Sequence, residues 1–148
     1  MRSPKASELT HNWHLIDAKD NVLGRMSTQI ALLLMGKAKS DFVRNLDSGD
    51  YVVVVNAKEV KVTGKKEDKK LYQRHSGYPG GFKEETLREL RARKPEEIII
   101  HSVKGMLPHN KLRDKMLKRL FIFEGAQHTY QEKFGNQKSE PKTEEVVA

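Results

Sequence analysis

The chain has 148 residues, of which 36% are hydrophobic and 32% charged, enough for one domain with a modest core. Its 28 Lys and Arg against 20 Asp and Glu leave a formal net charge of +8, which implies a polyanionic partner. The absence of cysteine excludes disulfides, thiolate zinc sites and cysteine nucleophiles. The N-terminal stretch Met1–Glu8 lacks the apolar segment of a secretory signal, and the longest apolar run, Ile30–Met35, is far too short to span a membrane. A soluble intracellular protein is expected.

The elements can be read in chain order. Residues 1–12 form a short extension, and Trp13–Asp17 reads as a first strand. After a turn at Lys19-Asp20-Asn21, apolar residues at Leu23, Met26, Ile30, Leu33 and Leu34 have helical spacing, with Gly36 as the C-terminal stop. Asp47-Ser48-Gly49-Asp50 is a turn leading into Tyr51–Val55, apolar on both faces, as in a parallel sheet covered by helices. Val60–Thr63 predicts a short third strand and Lys65–Lys70 a charged loop. Thr86 and Glu89 have capping-box spacing, so a helix starts there and stops before Pro95. Pro95 at a first helical position, followed by two acids, favours a helix over the strand that Ile98-Ile99-Ile100 could form. A further helix is expected over Lys111–Leu120, a last strand at Phe121-Ile122-Phe123, and a disordered polar tail over 131–148. The sum is a single α/β domain over 13–130: a small, mostly parallel four-stranded sheet flanked by helices on both faces.

Charge is segregated along this chain. Residues 61–94 carry a net +6 and residues 104–119 a net +5, while the rest is on balance neutral to acidic. A solvated surface intersperses its signs, whereas a surface that tracks phosphates concentrates one of them. Within the first block, Tyr72–Lys83 interleaves rings, cations and glycines. Glycines such as Gly80 and Gly81 let backbone approach phosphates, rings stack on unpaired bases, and Arg74 and Lys83 neutralise the backbone. In the second block, Lys111, Lys115 and Lys118 would share one face of a helix, opposite Leu112, Met116, Leu117 and Leu120.

Catalytic patterns fail their tests. Thr63-Gly64-Lys65 lacks the first glycine and the final Ser or Thr of a phosphate-binding loop, since Glu59 and Lys66 occupy those places. His75-Ser76-Gly77 lacks the flanking glycines of a nucleophile elbow, and the six histidines show no metal-ligand spacing. Asp17, at the end of the first strand, would need a second converging acid to serve a metal-dependent nuclease. No cofactor, small-molecule substrate or membrane partner is expected.

An ordered set of short motifs adds to this reading. Trp13 with Asp17-Ala18, Leu23-Gly24-Arg25, Gly36-Lys37, Asp47–Tyr51, Asn56-Ala57, Thr63–Lys65, His75–Gly81 and Lys104–Pro108 follow one another between residues 13 and 128. In order and spacing they resemble the bacterial-type family of large-subunit ribosomal proteins numbered thirteen. The chain departs from that family at Arg113-Asp114, where Gly-Arg is usual, and at Gly125–Tyr130, where Gly-x-x-His-Pro-His is usual. The resemblance implies a non-enzymatic structural constituent of the large subunit that binds its ribosomal RNA, supports early assembly and translation, and has neighbouring ribosomal proteins as partners. It implies a place on the ribosome, cytoplasmic or organellar, and RNA contacts at Lys37, Lys65, Arg74, His75, Tyr78, Lys83 and Lys104. Lys39 and Lys66, beside two of these, join Gly80, Gly81, Lys111, Lys115 and Lys118 as further candidates. The alternative function is a free-standing RNA-binding regulator, which the same basic surface would serve.

Overall fold

The run Tyr51–Val55 has to be covered on both faces, and the fold is arranged around it. The computed structural model describes residues 5–134. In chain order its elements are β1 (Trp13–Asp17), α1 (Leu23–Met35), β2 (Tyr51–Val55), α2 (Lys66–Lys69), β3 (Leu71–His75), β4 (Phe82–Thr86), α3 (Leu87–Arg93), α4 (Pro95–Met106), α5 (Arg113–Leu117) and β5 (Leu120–Ile122). Single 3-10 turns stand at Ala6–Glu8, Ala57–Glu59 and Gln131–Phe134.

β2 lies between β1 and β5 and runs parallel to both, with Trp13 opposite Tyr51 and Val52 opposite Leu120. The α/β class is as expected, but the sheet has three strands rather than four. Val60–Thr63 contributes only a bridge between Val22 and Lys61, because the chain turns away at Gly64, in the left-handed region at φ 68°. The remaining strands, β3 and β4, form a separate antiparallel hairpin that the residue pattern does not announce.

One face of the sheet is covered by helices. Val52 and Val54, with Ile16, Leu120 and Ile122 beside them, pack against Met26, Ile30, Ala31 and Leu34 of α1 and Ile99 and Val103 of α4. The other face carries an aromatic layer instead. Trp13, Tyr51 and Phe121 lie nearly parallel, at interplanar angles of 9°, 11° and 13°, and Tyr130 sits over Trp13 and Phe121. Residues 131–134, expected from the sequence to begin a polar tail, form a 3-10 turn that brings Phe134 edge-on to Trp13, with centroids 6.3 Å apart. The remainder of that tail lies outside the described residues.

Helix ends follow local chemistry. Thr86 and Glu89 close the expected capping box, with Glu89 N–H donating to Thr86 Oγ1 (3.3 Å) and Thr86 N–H to Glu89 Oε2 (2.8 Å). Hydrogen bonds from the Thr86 backbone N–H, foremost, and from the Thr86 hydroxyl hold the Glu89 carboxyl below its ordinary pKa. Pro95 then starts α4, as the proline and its two following acids require. The late helix is shorter than expected. Asn110 Oδ1 accepts from the amides of Leu112 and Arg113 and sets the start, while Leu120 is taken into the sheet opposite Val52. Lys111 and Lys118 therefore flank α5 rather than share its face.

The turn at residues 47–50 joins these layers. α1 ends in a Schellman pair, with Lys37 N–H donating to Leu32 O (3.1 Å) and Gly36 N–H to Leu33 O (3.0 Å), and Gly36 sits at φ 71°. Gly49 passes so close to the end of α1 that a Cβ there would overlap the Leu34 carbonyl oxygen. Arg119, just before β5, grips both carboxylate oxygens of Asp47 and also reaches Leu34 O. Asp50 is almost wholly buried and accepts from Lys39 Nζ, Asn12 N–H (2.9 Å) and His14 Nε2 (2.9 Å). Burial pushes the Asp50 carboxyl up, but the bonds from Lys39, Asn12 and His14 outweigh it and leave the pKa lowered.

Two outcomes are expected. Gly49→Ala should cost about 2–3 kcal/mol, because backbone rather than a flexible side chain must move, whereas Gly24→Ala, whose Cβ meets nothing within 4 Å, should be neutral or slightly stabilising. Denaturant melts of the two variants check this; equal losses would remove the close approach as the cause. The second concerns pH. A carboxyl whose folded pKa is depressed stabilises at neutral pH, and loses that contribution as pH falls below the unfolded value of about 4. Asp50→Asn should therefore lower the melting temperature at pH 7, and the gap from wild type should narrow as the pH is taken from 5 towards 2.

Candidate nucleic-acid interface

The β3–β4 hairpin stands on a small second core. Leu87, Leu90 and Ile98 are buried between α3 and α4, and Leu23, Val62 and Tyr72 pack against them. Tyr72 lies edge-on to His101 at 5.3 Å, and its burial pushes the phenol pKa up. Arg91 fastens the base of this unit. Its guanidinium donates to both oxygens of Glu67 in α2 (2.9 and 3.1 Å) and to the carbonyls of Lys58 and Val60 (2.7 and 2.9 Å). Beneath the hairpin, Val22, Gly24, Lys66, Lys70, Tyr72 and His101 line a cavity of about 240 Å³.

Above that base the hairpin projects into solvent. Its register sets Arg74 directly opposite Lys83, and His75 opposite Phe82. Two like charges facing each other across a ladder repel, and no carboxylate among the described residues pairs with either. Arg74, His75, Ser76, Gly81 and Lys83 line a shallow depression at this point. Tyr78 at the tip is 75% exposed and Phe82 is 54% exposed, unusual for large rings without a partner. His75 Nδ1 accepts from the Gly77 amide (2.8 Å), so the proton of the neutral ring is on Nε2 and is free to be donated. Gly80 supplies a left-handed turn at φ 70°. The Gly81 amide is spent on Tyr78 O (2.9 Å), and a Cβ on Gly81 would overlap the Ser76 side chain, so this glycine shapes the loop rather than offering its N–H.

Ion pairing divides the cations of the chain into two sets. Lys61, Arg88, Arg91, Arg93 and Lys94 of the first basic block are paired with Asp20, Asp68, Glu67, Glu85 and Glu97. Arg119 of the second is paired with Asp47. Among the described residues, Lys65, Lys66, Arg74 and Lys83, and Lys104, Lys111, Lys115 and Lys118, form no ion pair and are exposed. Lys37 behaves in the same way. Lys39 does not: its ammonium is turned inward and donates to Thr10 O (2.6 Å), Ser48 O (2.9 Å) and Asp50, using all three protons within the fold. Arg25, which the Leu23-Gly24-Arg25 motif includes without assigning it a contact, and Arg44, Lys69 and Lys70, which no motif includes, are also exposed and form no ion pair among the described residues; Lys70 sits over the Tyr72 ring at 5.3 Å.

No comparable arrangement of acids exists among the described residues. Asp17 Oδ1 accepts from Lys19 N–H and Asn56 Nδ2 (2.9 and 2.8 Å), and no group of His, Asp and Glu suited to a metal ion occurs among the described residues. The second converging carboxylate that nuclease chemistry would need beside Asp17 is not found there.

A sequence profile of the family described as ribosomal protein L13 matches residues 11–129. Proteins with the name large ribosomal subunit protein uL13 are similar over most of the chain. That of Lawsonia intracellularis is 50% identical over 128 residues, covering 86% of this chain and 89% of its own. That of Dehalococcoides mccartyi is 51% identical over 131 residues, covering 88% and 92%, and that of Prochlorococcus marinus 52% identical over 128 residues, covering 86% and 90%. The match takes in the parallel sheet, the hairpin and both basic blocks, and the chain belongs to the ribosomal protein L13 family, a family of ribosomal proteins and not of enzymes.

Proposed function

We propose that this protein is a structural constituent of the large ribosomal subunit that binds large-subunit ribosomal RNA and supports early assembly of the subunit and translation, in the cytoplasm and beside other large-subunit proteins. The observation that carries this reading is the division of the cations. Those that hold the fold together are paired with acids, and those left without an acid among the described residues lie on the hairpin and α2, on α4, around α5, and at Arg25, Lys37 and Arg44. A protein that kept Arg74 against Lys83 with no counter-charge would lose stability for nothing unless an anion met both. RNA phosphates are such anions, and Tyr78 and Phe82 offer rings to bases splayed out of a single-stranded loop. The relatives' own names place those proteins in the large subunit, which favours a constituent over a free-standing regulator.

Binding to large-subunit ribosomal RNA should weaken steeply as salt is raised, with a slope equivalent to about 5–8 phosphates. Replacing Arg74 and Lys83 together by Gln should weaken binding and lower the slope by about 2, one unit per cation, with melting unchanged or slightly improved. Replacing Lys111, Lys115 and Lys118 together by Gln should lower it by about 3. Lys39→Gln should do the opposite, costing stability and leaving the slope alone. Filter binding across a salt series, read beside thermal melts, separates these outcomes; a flat salt dependence in the wild type would end the phosphate-tracking reading.

A further inference from the structure

The loop of residues 36–50 between α1 and β2 borders a third concavity, lined by none of the hairpin residues. Met35, Phe42, Leu46, Pro108 and Met116 line a cavity of about 240 Å³. Asn110 and two cations, Lys37 and Arg44, complete its wall, and both cations are exposed and form no ion pair among the described residues. The cavity is smaller than the ~300–1,000 Å³ of pockets for drug-sized ligands, so it has room for one ring system and not for a helix. The loop that frames it is held in place: Lys39 is tied to Thr10, Ser48 and Asp50, Phe42 N–H donates to Lys39 O (3.3 Å), and Leu46 N–H to Val43 O (3.2 Å).

We propose that this cavity takes up a single unstacked base of the bound RNA, with Lys37 and Arg44 on the phosphates that flank it. The inference rests on the RNA-binding function proposed for the chain and adds to it an unpaired nucleotide at a defined place, together with Arg44 as a contact. The lining suits a base: two thioethers and a phenyl ring are polarisable and pack against a π-face without asking for a particular hydrogen-bond pattern. The charge at the edge selects the occupant. An apolar side chain from a neighbouring protein would fill the cavity but leave two cations facing it with no counter-charge. A nucleotide brings the ring and the anions together, and its phosphates lie on either side of its base. Asp41, the acid next to Phe42 in the chain, lies by the Ser40 hydroxyl (3.2 Å) and is not part of the cavity wall, so nothing there opposes an anion.

The test uses the full chain labelled with 13C at the methionine methyls, at low salt, with three probes: single strands of adenylate, single strands of uridylate, and a blunt RNA duplex of the same length. Saturation with at least one single strand should move the methyl resonances of Met35 and Met116 and leave that of Met26, buried under the sheet, in place. The duplex should bind without moving Met35 or Met116. Replacing Lys37 and Arg44 together by Gln, both on the surface, should weaken single-strand binding several-fold, reduce the Met35 and Met116 shifts at fixed RNA concentration, and leave melting unchanged. Single strands that saturate the protein with Met35 and Met116 unmoved would overturn the base pocket while leaving the RNA-binding function intact. Failure to bind any of the three RNAs would remove that function, and the pocket with it. Movement of Met35 and Met116 on adding RNA-free large-subunit proteins, and not on adding RNA, would assign the cavity to a protein side chain and overturn the proposal. Full single-strand affinity in the double Gln variant would overturn the role of the two cations.

Discussion

The close passage of Gly49 across the end of α1 is the constraint on which the rest of the structure depends. Only a residue without a side chain can bring the chain entering β2 against the Leu34 carbonyl, and that approach sets how near the helix lies to the sheet. The polar groups around it are arranged to make the approach durable. Arg119 spans from Asp47 to Leu34 O, so the segment before β5, the turn before β2 and the last turn of α1 share one guanidinium. Asp50, two residues on from Ser48, collects Lys39, Asn12 and His14, which adds the start of β1 and the loop after α1. All three strands of the parallel sheet thus begin at one buried polar knot, and removing a partner from it would strand a charge with little access to water.

This knot also bears on binding. It withdraws Lys39 and Arg119 from the surface while leaving Lys37 and Lys118, close by in sequence, without an ion pair among the described residues. The α3 region repeats the pattern, with Arg91 holding α2 and the Ala57–Glu59 turn, and Arg74 and Lys83 left to face solvent on the hairpin. Burial and pairing therefore do the sorting: a guanidinium that can reach a carboxylate and two carbonyls in a half-buried site is worth more to the fold than to an external phosphate. What remains outside is a set of cations whose mutual repulsion is tolerable in the free domain and would be relieved by a bound polyanion. The separate core under the hairpin, built on Leu87, Leu90 and Ile98, lets the hairpin project without weakening the packing of the main sheet.

Much of this architecture is legible in the residues themselves. The apolar spacing from Leu23 to Leu34 with Gly36 at its end, the Thr86–Glu89 box, Pro95 with its two acids, and the valine run of β2 each dictate local geometry through backbone sterics, capping or burial, and each stands where the residues indicate. The excess charge in two blocks, and the ordered motifs that resemble one family, likewise belong to the chain as written. The hairpin is not legible in this way: its strands, Leu71–His75 and Phe82–Thr86, are mostly exposed, so they show no hydrophobic alternation, and their pairing is visible only across the loop that joins them.

The sequence by itself therefore determined the α/β class, the places of the longer elements and the excess of positive charge, because propensity, periodicity and net charge are local or additive properties. Tertiary structure alone decided the rest. It ended α5 early by taking Leu120 into the sheet, covered the second sheet face with the rings of Tyr130 and Phe134 instead of a helix, and turned Lys39 inward to Asp50. The physical reason is the same in each case. Whether a strand end pairs, a ring finds a face, or a lysine finds a buried carboxylate depends on groups far away in the chain, and cations that look alike in sequence are told apart by the acids that the fold brings within reach.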